Sequence, residues 1–144
     1  MDHLQVAAVL EEIATLLELK GENPFKTRAY QQGARVIEKL GADFLRMAEE
    51  GRLREIPGIG EALAKKLDEL VTTGRLEFHQ QLRDEFPPDL LALLKISGLG
   101  PKRLRAIHTA LGVSTLDELR RACEEDRVAA LPGMGNKSQA KILE

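Results

Sequence analysis

The sequence predicts an all-α fold of about nine or ten short helices, arranged as tandem helical hairpins in two small subdomains. Three observations lead there. No segment alternates apolar and polar residues with a β-branched bias, as a half-buried strand would. Glycine and proline interrupt the 144 residues at spacings that suit short helices. One unit is also written three times: Glu55-Ile-Pro-Gly-Ile-Gly-Glu-Ala-Leu-Ala-Lys-Lys-Leu67, Ile96-Ser-Gly-Leu-Gly-Pro-Lys-Arg-Leu-Arg-Ala-Ile107 and Leu131-Pro-Gly-Met-Gly-Asn-Lys-Ser-Gln-Ala-Lys-Ile142. Its glycine pairs, Gly58/Gly60, Gly98/Gly100 and Gly133/Gly135, are separated by 40 and 35 residues, the period of a reused supersecondary unit.

The elements follow in order. Asp2 caps a first helix running to about Leu19, with Leu4, Ala7, Ala8, Leu10, Ile13, Ala14 and Leu17 on or near one face. Asn23-Pro24 starts a second, Asn as cap and Pro at the first helical position. It carries Phe25, Ala29, Val36, Ile37 and Leu40 and ends at Gly41. A third spans Asp43 to Glu50. After the first glycine turn a helix runs from about Glu61 to Thr73, ending at Gly74, and Arg75–Glu85 forms another. Phe86-Pro87-Pro88 then breaks the chain and marks the subdomain boundary, giving 1–86 and 87–144. Beyond it, Pro88–Leu94 is a short helix, Pro101–Leu111 ends at Gly112, and Ser114/Thr115 cap a helix to about Glu124. Asp126–Ala130 is a turn of helix entering the third glycine turn. The last helix starts at Asn136 and meets no stop signal before Glu144, so the chain reads as truncated there.

Each repeated unit has one physical reading. Two glycines around an apolar residue permit a positive φ and close approach of another chain. The helix that follows presents unpaired N–H groups and the positive end of its dipole, which favour an anion. The apolar middle residue (Ile59, Leu99, Met134) anchors the turn in the core. The expected ligand is a phosphate contacted by backbone, which carries no base information. A lone Gly-x-Gly is more often a plain turn; three copies in one apolar frame are not. A nucleotide-binding loop is excluded, because no Gly-x-x-x-x-Gly-Lys-Ser/Thr occurs and no strand precedes the turns.

The bulk numbers narrow the class. A hydrophobic share of 43% with only 3% aromatics means cores of Leu, Ile, Val and Ala. The single cysteine, Cys123, cannot close an internal disulfide, and no stretch approaches the length of an apolar membrane span. The chain reads as soluble, cytoplasmic and nucleoid-associated. Net charge is −2, but it is segregated. Residues 95–108 carry Lys95, Lys102, Arg103 and Arg105 without an acid. Residues 21–40 carry Lys26, Arg28, Arg35 and Lys39 against Glu22 and Glu38. Acids collect at Glu11, Glu12, Glu18 and in 117–126. This distribution suits a phosphate-facing surface with an acidic back. His3, His79 and His108 share no spacing that would make a metal site.

The repeated frame resembles the helix-hairpin-helix motif of DNA repair proteins. A longer match is similar to the start of family X DNA polymerases, prokaryotic members above all: Asn23-Pro-Phe-Lys-Thr-Arg-Ala-Tyr-Gln-Gln-Gly-Ala-Arg-Val-Ile37, then the unit at 55–67, then Thr73-Gly-Arg-Leu-Glu, then Ile96-Ser-Gly-Leu-Gly-Pro-Lys, in that order. It covers essentially the whole chain, as a lyase-type 5′-phosphate-binding domain followed by a DNA-gripping fingers subdomain.

The resemblance implies binding of gapped, nicked or 5′-phosphorylated DNA, without sequence preference, by a monomer. It places Lys26, Tyr30 and Arg54 at the 5′-phosphate. The turns and helix starts complete the set: Gly58, Ile59, Gly60, Lys65, Gly98, Leu99, Gly100, Lys102, Arg103, Gly133, Gly135 and Lys137. In lyase-active members a lysine after the first hairpin forms a Schiff base with a 5′-deoxyribose phosphate; the lysine at that position here is Lys66. Attack needs a neutral amine, and Lys65, Lys26 and Arg54 converging on it would supply the charge that favours one. Two positions depart from the pattern: Ala62 replaces a phosphate-binding lysine and Phe25 a stacking histidine. Lyase chemistry requires no cofactor. The resemblance also implies Na+ or K+ at the turn carbonyls of Arg54, Ile56 and Ile59 and of Leu94, Ile96 and Leu99. Mg2+ or Mn2+ would serve only a nucleotidyl-transfer palm, with its Gly-Ser pair and three metal-binding aspartates, and a phosphoesterase domain, neither of which this sequence contains. Two other functions fit the same residues: a free-standing helix-hairpin-helix DNA binder without enzymatic activity, and a helical protein-interaction module.

Overall fold

The computed structural model describes residues 1–143, which are all-α: nine α-helices and two short 3-10 turns among the described residues. The chain forms two compact units. The first comprises Met1–Leu17 and Glu22–Arg83; the second takes Glu18–Gly21 and the chain from Asp84 onward. The division expected at 86/87 falls close to Asp84, where the second unit resumes.

In the first unit, α1 (His3–Lys20) opens on a capping box. Asp2 Oδ1 accepts from the Gln5 N–H at 2.8 Å, and Gln5 Oε1 accepts from the Asp2 N–H at 2.9 Å. Its buried stripe is Val6, Ala7, Leu10, Ile13, Ala14, Leu16 and Leu17. Leu4, expected on that face, is 58% exposed, and Ala8 is exposed as well. The stripe is set by Val6 and Leu10, which lie off the line through Leu4 and Ala8. α2 (Pro24–Leu40) is capped by Asn23 Oδ1, which accepts from the Phe25 N–H at 2.9 Å. It packs closely at Gly33, where a Cβ would lie 2.8 Å from Leu63 Cδ2. α3 (Asp43–Glu49) buries Phe44 completely.

After the 3-10 turn Leu53–Glu55, α4 (Glu61–Thr73) ends at Gly74 with φ 77°. α5 (Glu77–Asp84) starts two residues later than its composition suggested. Arg75 is drawn into a side-chain turn, its N–H donating to Thr73 Oγ1 at 3.1 Å, and Glu69 Oε2 accepts from the Glu77 N–H at 2.7 Å as the cap. α5 is then held by Glu12 of α1. The Glu12 carboxylate lies 3.0 Å from His79 Nε2 and accepts from Arg83 Nη1 at 2.7 Å. His79 therefore has a carboxylate partner remote in sequence, and is a core-edge residue.

The second unit is built on α6 (Pro88–Ala92), the 3-10 turn Leu93–Lys95, α7 (Pro101–Leu111), α8 (Leu116–Glu124) and α9 (Asn136–Leu143). Its core joins Leu90, Leu93, Leu99, Leu104, Ile107, Val113, Leu119, Ala122, Val128 and Ile142, with Leu19 from the end of α1. Thr115 caps α8, its Oγ1 accepting from the Glu118 N–H at 3.2 Å. The helical turn expected over 126–130 is absent, and the segment is a series of turns. Asp126 takes φ 58°, and the Arg127 N–H donates back to the Ala122 carbonyl at 2.9 Å. This left-handed closure ends α8 and turns the chain aside. The turns are then fixed from α9. Gln139 Oε1 accepts from the Ala129 N–H and its Nε2 donates to Asp126 Oδ1, both at 2.9 Å. Glu144, the expected end of the last helix, lies outside the described residues.

The Gln139 clamp is testable. Gln139→Leu leaves a part-buried backbone N–H without its acceptor, so a loss of ~1–3 kcal/mol is expected, read as a lower urea midpoint with an unchanged slope. A wild-type midpoint would mean that the clamp contributes nothing.

Candidate functional site

The three repeated turns fold alike. In the first, the Ile59 N–H donates to the Ile56 carbonyl at 3.1 Å and the Ala64 N–H to the Gly60 carbonyl at 2.9 Å. In the second, Leu99 bonds Ile96 at 3.1 Å and Leu104 bonds Gly100 at 2.9 Å. In the third, Met134 bonds Leu131 and Gln139 bonds Gly135, both at 3.0 Å. Ile59 and Leu99 are buried as expected of anchors; Met134 is half-buried.

The two glycines of each turn answer to different constraints. The first takes positive φ: 92° at Gly58, 85° at Gly98 and 78° at Gly133. A side chain also closes on two of them. A Cβ on Gly58 would meet Val36 Cγ2 at 3.3 Å, and one on Gly98 would meet Lys141 Cγ at 3.0 Å. The second glycine is otherwise. Gly60 has φ −85°, ψ −179° and Gly100 has φ −84°, ψ 177°, extended geometry that any residue adopts. A Cβ at Gly60, Gly100 or Gly135 would meet nothing within 4 Å among the described residues. At the helix N-cap a Ser or Asp would bond the first-turn N–H groups, yet glycine stands there and no side chain caps α4 or α7. The fold does not require glycine at these positions.

Charge differs between the turns. α4 opens with Glu61, whose carboxylate is 2.6 Å from Arg54 Nε, while Arg54 Nη1 reaches Asp68 at 3.4 Å. The Arg54 hydrogen bond holds the Glu61 carboxyl below the usual carboxylate range, and Glu61 in turn raises the guanidinium. Arg54, expected at a phosphate, is thus already compensated by two acids. α7 has no acid in its first turn, and neither does α9. Lys102 and Lys137 are exposed there. Arg103, half-buried, donates from Nη1 to the Gly98 carbonyl at 3.0 Å, so it braces its own turn.

Around Lys66 the structure gathers aromatic rings. Lys66 Nζ lies 5.1 Å from the centroid of the Phe78 ring, and Phe78 stacks on Tyr30 at 6.1 Å with 9° between planes. Burial pushes the Tyr30 hydroxyl pKa up. Among the described residues no carboxylate forms an ion pair with Lys66. Of the cations expected to converge on it, Arg54 is held by Glu61 and Asp68, and Lys26 lies 3.8 Å from Glu22. Lys65 is exposed. Phe25 is 74% exposed, with the Arg28 guanidinium 5.7 Å from its ring centroid. Sequence reasoning missed Phe78, although an aromatic in a chain with so few was a signal. It also missed Glu61 and Asp68 as partners of Arg54. No group of three His, Cys, Asp or Glu among the described residues is placed to hold a metal.

Two compact helical units carrying three such turns define a tandem helix-hairpin-helix protein. Residues 1–76 match the family described as "Helix-hairpin-helix domain", and residues 90–144 match "SAM-like Helix-hairpin-helix tandem". The chain belongs to the helix-hairpin-helix family. It is similar, at 35% identity over its whole length, to the DNA polymerase/3′-5′ exonuclease PolX of Bacillus subtilis, of which it spans 25%. It is also 24% identical over 108 residues, 75% of this chain, to the Holliday junction branch migration complex subunit RuvA of Prosthecochloris aestuarii, spanning 54% of that protein.

The two glycine roles separate by mutation. Gly98→Ala forces an alanine into the left-handed region and against Lys141, at a cost of ~1–2 kcal/mol or more, whereas Gly100→Ala is expected to stay within ~0.5 kcal/mol of wild type. Thermal unfolding of both variants decides; equal losses would remove the distinction.

Proposed function

We propose that this chain is the DNA-gripping N-terminal portion of a family X DNA repair polymerase, acting as a monomer on gapped, nicked or 5′-phosphorylated DNA in the bacterial cytoplasm, at the nucleoid. The observation that carries the proposal is the second glycine of each turn. A bare, uncapped helix start with open space before it suits a ligand that approaches the backbone closely and accepts hydrogen bonds, and a phosphate oxygen does both. The similarity to PolX gives the polymer its identity. Hairpins two and three, with no acid in the first helical turn and with Lys102 and Lys137 beside it, hold the phosphates more strongly than hairpin one, where Glu61 repels them. The carbonyls of Ile56 and Ile96 each accept one N–H and retain a second lone pair. That capacity fits the monovalent cation at Arg54, Ile56 and Ile59 and at Leu94, Ile96 and Leu99. No helix among the described residues is long and apolar enough to cross a membrane.

Lyase activity is a second reading, supported by the setting of Lys66. Lys66 is half-buried, its amine lies 5.1 Å from the Phe78 ring centroid, and no carboxylate pairs with it among the described residues. In the reaction the Lys66 amine adds to the sugar C1′ aldehyde and water leaves, giving an iminium. Loss of a C2′ proton then expels the 3′-phosphate by β-elimination, and hydrolysis frees the lysine.

Binding is read by fluorescence anisotropy on a one-nucleotide-gap duplex with a 5′-phosphate. Log affinity should fall linearly with log salt. Gly100→Val should weaken binding about tenfold or more, ~1.4 kcal/mol, at an unchanged unfolding midpoint. Unaltered binding by that variant would remove the backbone contact, and binding that survives high salt would favour the protein-interaction reading.

For the lyase, borohydride reduction on a gapped duplex bearing a 5′-deoxyribose phosphate should trap a covalent adduct in wild type and not in Lys66→Ala. Tight binding without an adduct in wild type would leave a gripping module with no lyase.

A further inference from the structure

The second hairpin is closed by a residue from the third. The stem of Lys141, on α9, lies against the turn at Gly98: a Cβ there would sit 3.0 Å from Lys141 Cγ and 3.1 Å from its Cδ. At the first hairpin the equivalent place against Gly58 is taken by Val36, an apolar residue that can only pack. A lysine packs equally well through its methylenes and keeps its charged head in water. Lys141 is exposed, and no carboxylate among the described residues pairs with it. Arg103, in the same motif as Gly98, braces that turn through the Gly98 carbonyl.

We propose that Lys141 is a phosphate-binding residue of hairpin two, so that the grip of the second hairpin is a composite of the second and third motifs. The inference rests on the DNA reading above and deepens it. The backbone of one hairpin supplies N–H groups and the helix of the next supplies a further mobile cation, beside Lys102. In the repeat, Lys141 occupies the place that Lys66 has in the first copy and Ala106 in the second. The lysine at this position therefore serves a neighbouring turn, a role that repeat arithmetic alone does not reveal.

The test compares the salt dependence of gapped-duplex binding by the full chain for wild type, Lys141→Met, Lys141→Gln, Lys141→Arg and Lys102→Met. Lys141→Met keeps the packing stem and removes the charge. It should lower the slope of log affinity against log salt by about 0.9, so that the loss of affinity between 50 mM and 200 mM salt becomes about threefold smaller. Lys141→Gln should do the same and Lys141→Arg should restore the slope, all at a wild-type unfolding midpoint. A wild-type slope in Lys141→Met and Lys141→Gln, with a reduced one in Lys102→Met, overturns the inference and leaves the DNA reading standing. A lower midpoint with an unchanged slope also overturns it, since Lys141 would then be packing alone. Absence of salt-dependent binding in wild type overturns both.

Discussion

The arrangement depends on a helix start that is left uncapped. An α-helix begins with N–H groups that have no partner within the helix, and most proteins satisfy one with a side chain. Here α4 and α7 begin after glycines that supply no such group and that the local backbone does not need. The turn is instead specified from the core side. The positive-φ glycine reverses the chain, the buried Ile59 or Leu99 anchors it, and a short bond back to Ile56 or Ile96 locks it. With the inner face so determined, the outer face is preorganised and bare, so an anion that binds there costs the turn little ordering.

Backbone geometry is common to the turns, but the field around them is not. Glu61 in the first turn of α4 is favourable for the helix itself, since an anion there meets the positive end of the helix dipole. The same charge opposes an incoming phosphate, and Arg54 is drawn into compensating it. Hairpin one thus favours its own folding over anion binding, whereas hairpin two has Pro101 in the place of Glu61, with Lys102 next to it. The N–H arrays differ by one donor, since Pro101 opens α7 and has none; the rest of any difference in anion affinity should lie in two or three side chains.

The parts legible in the sequence were those with local causes. Gly74 and Gly112 stop their helices where composition places them, because a left-handed C-terminal residue is a decision made within one turn. Asn23 and Thr115 act as caps for the same reason. The parts that were not legible depend on residues far away. Arg75 and Leu76 look helical, but Thr73 captures the Arg75 N–H and Glu69 caps the helix from Glu77. Nothing in residues 126–130 announces that Asp126 turns left-handed, with Gln139 holding the result. Arg54 reads as a phosphate ligand until Asp68, a helix away, is seen to share it. The apolar face of α1 was placed partly wrong because Leu4 and Ala8 fit the period about as well as Val6, which was left off it; the packing partners chose between them.

The two glycine roles were equally hidden, since Gly-x-Gly writes both with one letter. What covers the positive-φ glycine differs from copy to copy: Val36 at Gly58, Lys141 at Gly98, and nothing within 4 Å among the described residues at Gly133. A turn covered by a side chain from another helix cannot move toward that helix without displacing the side chain. Hairpin one is therefore coupled to α2, which carries Lys26 and Tyr30, and hairpin two to α9, which is itself the helix of hairpin three. Within each unit the turn and the cation-bearing helix lie against each other. Hairpin three has no such cover, and its turn is held through Gln139 and the segment before it. The repeat supplies three copies of one backbone device; the residue that closes each copy decides what that device is coupled to.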